Sequence, residues 1–82
     1  MTIILKCSLT PGSGVVIIDK GDLILIMLAM DTPTMTAINL VRGLVKPEQL
    51  GAVRAKCEEW SVYADIEAMA MAHHDLVIEV AV

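Results

Sequence analysis

Phenylalanine is absent from this 82-residue chain, and Trp60 and Tyr63 are its two aromatic residues. Binding to single-stranded nucleic acid calls for a cationic groove set with stacking aromatics. Binding to a duplex calls for many Lys and Arg side chains that neutralise phosphates. The chain has 10 acids against 6 bases, a net charge of −4, so direct nucleic-acid binding is not expected. Cysteine is scarce as well. Cys7 and Cys57 are too few for a disulfide scaffold, and two unpaired thiols suit a reducing compartment. Long apolar runs are missing: the longest, residues 23–30, has eight members, against about 20 for a membrane-spanning helix. Near the start, Lys6 follows the apolar residues 3–5 instead of preceding them, which is not the order of a secretory signal. A soluble cytoplasmic protein with no membrane contact is expected.

What the chain does contain is apolar mass. Hydrophobic residues make up 56%, above the usual 45–50%, so a disordered chain is excluded. The length allows one domain, residues 1–82. So small a chain has little room for both a core and a cleft, which argues against an enzyme.

Residues 2–10 alternate, with Ile3, Leu5, Cys7 and Leu9 on one face, and Thr2, Lys6, Ser8 and Thr10, interrupted by Ile4, on the other. A period of two predicts a strand with one buried face. Thr10-Pro11-Gly12-Ser13 then suits a type II turn. The β-branched residues 15–18 and the apolar residues 23–30 flank Asp19-Lys20-Gly21-Asp22, a hairpin signal that sets Ile18 opposite Leu23 and Val16 opposite Leu25. Residues 23–30 are apolar on both faces, as in a strand covered from both sides.

Asp31-Thr32-Pro33 reads as a helix start, with Thr32 or Asp31 as cap and Pro33 in the first helical position. Met35, Ile38, Val41 and Val45 continue at helical spacing, with Ala37, Leu40 and Leu44 beside them, up to Pro47. From Pro47 the longest stripe begins: Leu50, Val53, Cys57, Trp60, Ala64, Ala68 and Met71. As one helix of about 25 residues it would be ~38 Å long, more than a compact domain of this size accommodates. It therefore either breaks near Ser61 or projects. Residues 76–82 read as a last strand, with Leu76, Ile78, Val80 and Val82 on one face. The order β-β-β-α-α-β predicts an α+β two-layer sandwich, a four-stranded, mainly antiparallel sheet packed with two helices.

Chemistry-bearing clusters are few. His73-His74-Asp75 holds metal-ligand residue types, but adjacent histidines on a helix diverge by about 100°, and a polar helix end accounts for them. Cys7 and Cys57 fall on apolar faces and read as small hydrophobes. Gly12-Ser13-Gly14 is too short for a phosphate loop, and Asp19 with Asp22 lacks the ligand count of a calcium loop. No catalytic residue, metal or cofactor is expected.

Charge order is more informative. The first 56 residues carry all six bases and four acids. The remaining 26 carry six acids and no base. Glu58, Glu59 and Asp65, with the adaptable side chains of Met69 and Met71, are therefore the expected docking surface for a protein with a basic face. Two helices cover one side of a four-stranded sheet, so the other side should be an interface, with Val16, Ile18, Ile24, Ile26 and Leu28 as its expected residues. The expectation is a non-enzymatic homo-oligomer that binds another macromolecule, an accessory inhibitor or regulator of the phage or mobile-element type. The alternative is an oligomer holding a metabolite or nucleotide in a pocket between subunits.

Overall fold

A computed structural model describes residues 1–8, 14–73 and 75–80. Leu9, the turn expected at Thr10-Pro11-Gly12-Ser13, His74 and Val82 lie outside the described residues. Four strands are present: β1 (Thr2–Ser8), β2 (Val16–Asp19), β3 (Leu23–Ala29) and β4 (Val77–Glu79). Between β3 and β4 come α1 (Thr34–Gly43), a 3₁₀ turn (Pro47–Gln49), α2 (Leu50–Trp60) and α3 (Ile66–Ala72). The fold is α+β, and its sheet runs in the order β2-β3-β1-β4. The β2–β3 and β1–β4 pairs are antiparallel and the central β1–β3 pair is parallel.

Register assigns the faces. Ile3 pairs with Ile24, Leu5 with Ile26 and Cys7 with Leu28, and Ile3 also pairs with Ile78. These side chains join Ala37, Ile38 and Val41 of α1, Val53, Cys57 and Trp60 of α2, and Ile66 and Met69 of α3 in one core. All three helices thus lie on the same side of the sheet.

The β2–β3 hairpin is tighter than its sequence suggests. Ile18 pairs with Leu25 and Val16 with Met27, two residues away from the expected register. Lys20 donates to the Leu23 carbonyl at 2.8 Å, and Gly21, at φ 76°, is the first central residue of the turn. A two-residue loop with glycine there matches the twist of the flanking strands. A slip of two leaves each side chain on its expected face, because the pleat repeats every two residues.

Three features of the helix layer bear on the expectations. First, Pro33 is the residue before α1, extended at φ −57° and ψ 139°, and no side chain caps the helix. Its carbonyl accepts from the Thr36 and Ala37 amides, so Asp31 and Thr32 are not caps. Thr34, Ala37, Ile38 and Val41 face the core, and Met35 is 55% exposed. Second, of the two alternatives for the long stripe, the chain takes the break, after Trp60. Ser61 closes α2 through its hydroxyl, which donates to the Glu58 carbonyl at 2.7 Å. A continuous helix of ~38 Å would overrun the 33 Å long axis of the molecule. Third, the break resets the phase. α3 buries Ile66 and Met69, while Ala64 and Met71 face out. Two helices become three.

Asp65 starts α3 by accepting from the Ala68 amide at 2.8 Å. The turn after β3 holds two more amides: Ile66 donates to the Thr32 carbonyl and Glu67 to that of Met30. Three of the four amides that a helix start leaves open are thereby satisfied. At the sheet's other edge, Val80 donates to the Met1 carbonyl and Leu5 to that of Leu76, extending the contact of β4 with β1.

Trp60 is fully buried at the end of α2, and its indole N–H has no hydrogen-bond partner among the described residues. Truncating a large core side chain costs about 3–5 kcal/mol, a large share of the ~5–15 kcal/mol that holds a domain together. Trp60→Ala should lose about that much in urea denaturation. Trp60→Phe should lose less, because it removes an unsatisfied donor along with volume.

Candidate interaction surfaces

The open side of the sheet follows from the register. It carries Ile4 from β1, Leu23, Leu25 and Met27 from β3, Val16 and Ile18 from β2, and Val77 from β4. Lys6 and Glu79 are charged members of the strands on this side, and Lys20 follows at the hairpin end beside Leu23. No helix among the described residues packs against it. Of the expected interface residues, Val16 and Ile18 lie on this face. Ile24, Ile26 and Leu28 do not: they are at most 5% exposed and sit beneath the helices. Residues 23–30 are apolar on both faces, so periodicity could not say which set faced the helices. The partners of Val16 and Ile18 in the hairpin could, and they point to Leu23, Leu25 and Met27.

β2 lies beyond the helix layer. Val15, Val16, Ile17, Ile18 and Leu23 are between 38% and 47% exposed, although Ile17 points to the helix side with Ile26. An apolar edge strand open on both faces is uncommon in a protein that stays single.

The expected acidic docking surface is only partly assembled. Glu58 and Glu59 are exposed on α2 and Met71 is 82% exposed, but Met69 is wholly buried in the core. Asp65 is committed to capping α3. Glu59 lies 3.3 Å from the Lys56 ammonium and 3.8 Å from His73 Nδ1. The His73 ring also stands edge-on to Tyr63, with centroids 5.2 Å apart. Among the described residues no three His, Cys, Asp or Glu side chains gather as a metal site.

Among the described residues neither cysteine is arranged as a nucleophile. Burial pushes the Cys57 thiol up, opposed by the guanidinium of Arg42 beside it. Burial, with Glu67 and Asp65 nearby, also raises Cys7. A raised thiol holds less of the reactive thiolate. Arg42 and Arg54 flank a cleft of about 220 Å³ between α1 and α2, with Leu50 and Val53 lining it. Helical spacing gave no sign of it, because Arg42 reaches it from a different element.

No helix among the described residues is long and apolar enough to cross a membrane. Comparison of the chain with protein-family models, with curated proteins and with solved structures gives no match.

Two outcomes follow from these placements. Asp65→Lys should cost about 1 kcal/mol through the lost cap, whereas Glu58→Lys should stay within about 0.5 kcal/mol; urea midpoints compare them directly. Both thiols ionise at higher pH in the folded chain than in the unfolded one. The unfolded state therefore releases its thiol protons first, and stability falls as pH climbs above the ordinary thiol value of about 8.5. The alkaline decline in urea midpoint should be shallower in Cys57→Ala.

Proposed function

We propose that the protein is a small, non-enzymatic interaction module that assembles with copies of itself through its sheet. In that form it binds another macromolecule as an accessory inhibitor or regulator in the cytoplasm. The observation that carries the reading is the apolar open sheet with its exposed β2. Its residues are contiguous, and a patch of that kind marks an association surface. Self-association leaves the helix side free for a partner. Glu58, Glu59 and Met71 are exposed there, and in this reading they meet a protein with a basic surface. Nucleic acid and membrane are not partners in this reading, given the net charge of −4.

The alternative, a small-ligand binder, has the cleft between Arg42 and Arg54 in its favour, since paired guanidinium groups suit a carboxylate or phosphate. That cleft lies within one subunit, and its 220 Å³ falls below the ~300–1,000 Å³ usual for small-molecule sites. The interaction reading is therefore preferred.

Light scattering at tens of micromolar should return at least twice the 8.8 kDa chain mass. A stable species of single-chain mass across that range would overturn the reading.

A further inference from the structure

Sheet edges present rows of unpaired N–H and C=O groups, which proteins protect by shortness, charge, proline or cover. β4 is protected: it has three residues and ends on Glu79. β2 is less so: its one charge, Asp19, stands at the hairpin end, and residues 15–18 contain neither charge nor proline and are open on both faces. The hairpin fixes which of its backbone groups are free. Lys20 and Leu23 form a hydrogen-bonded pair, and such pairs alternate with non-bonded ones in an antiparallel ladder. The N–H and C=O groups of Ile18 and Val16 therefore point to β3. Those of Val15, Ile17 and Asp19 point away from the sheet.

We infer that β2 pairs antiparallel with β2 of a second copy about a two-fold axis at Ile17, joining two four-stranded sheets into one of eight strands. The inference rests on the assembly reading above and makes the strand edge, not the open face, the joint. A second copy fits because the outward groups are self-complementary. With Ile17 opposite the partner's Ile17, Val15 meets the partner's Asp19 and Asp19 meets the partner's Val15. Each is a pair with two hydrogen bonds, about six in all. Other registers do worse. Centring on Ile18 sets Val15 against the partner's Gly21, in its hairpin turn. Centring on Asp19 sets two carboxylates face to face, which destabilises a ladder. In the chosen register Val16 lies opposite the partner's Ile18. That cross-strand pair extends the apolar face that carries Leu25 and Met27. A two-fold joint also closes, whereas pairing β2 with the β4 edge of the next copy would run on as a filament.

Ile17→Pro tests the joint selectively. The Ile17 N–H points outward, and proline is tolerated on an edge strand when its missing N–H faces away from the sheet. The variant should keep the wild-type circular dichroism while its dimer dissociation constant rises at least ten-fold. As a second measurement, Ile17→Cys should form an inter-subunit disulfide under mild oxidation. Residues in a hydrogen-bonded pair stand about 5.5 Å apart at Cα, within disulfide range. Met35→Cys, on the exposed side of α1, should not cross-link. If Ile17→Pro folds and associates like wild type, or Ile17→Cys cross-links no better than Met35→Cys, the edge joint is wrong while the assembly reading stands. A wild-type protein that is single at tens of micromolar overturns both. Masses that grow without limit overturn the closed two-fold.

Discussion

The parallel pairing of β1 with β3 is the constraint on which the rest of this fold depends. Parallel neighbours cannot be joined by a tight turn, so the chain must travel between the end of β1 and the start of β3. It does so by way of β2, which ends up on the far side of β3. The central pair holds the middle of the core through Ile3, Leu5, Ile24, Ile26 and Leu28. The helices gather over that pair. The strand that made the crossover is left at the margin, where the helix layer gives it little cover. The exposure of β2 is thus a by-product of the topology and not of β2's own composition, which is as apolar as a core strand's.

Acidic charge in the second half of the chain serves the fold more than its count suggests. Asp65 holds the start of α3, and Glu59 stands between Lys56 and His73. The cap is worth about 1 kcal/mol, and an exposed ion pair such as Lys56–Glu59 typically less. Of the three acids the charge order singles out, Glu58 is the one for which no such partner is described. A run of like charge in a sequence therefore overstates the field available to an incoming partner.

Much of the fold was legible in the sequence. Alternation in residues 2–8 marked the buried face of β1, and the Lys20-Gly21 signal marked the hairpin. Helical spacing marked Val53, Cys57 and Trp60 as core. What was not legible came from interactions between distant residues. The stripe runs without interruption through Trp60 and Ala64, and nothing local distinguishes a long helix from a broken one. The break is held by contacts of residues 64–67 with the turn after β3, 30 or more positions earlier. The same break decided that Met69 is core and Met71 is surface. Residues 23–30 fit either face equally, and it took the register with β2 to assign Ile24, Ile26 and Leu28 to the helix side.

That turn has a role in cooperativity. Residues 30–34 end β3 and begin α1, and their carbonyls also hold the first amides of α3. Thr34 in turn donates its amide to the Ala64 carbonyl at 3.2 Å. A seven-residue helix does not persist alone in water, where even 12–15 residues are marginal. α3 therefore has no independent equilibrium of its own: it forms with the junction and opens with it. Loosening the junction would release the start of α1, the whole of α3 and the floor that Met69 gives the core together. The start of α1 and the whole of α3 are thereby tied to one knot of backbone and would open together, not as two helices that fray separately.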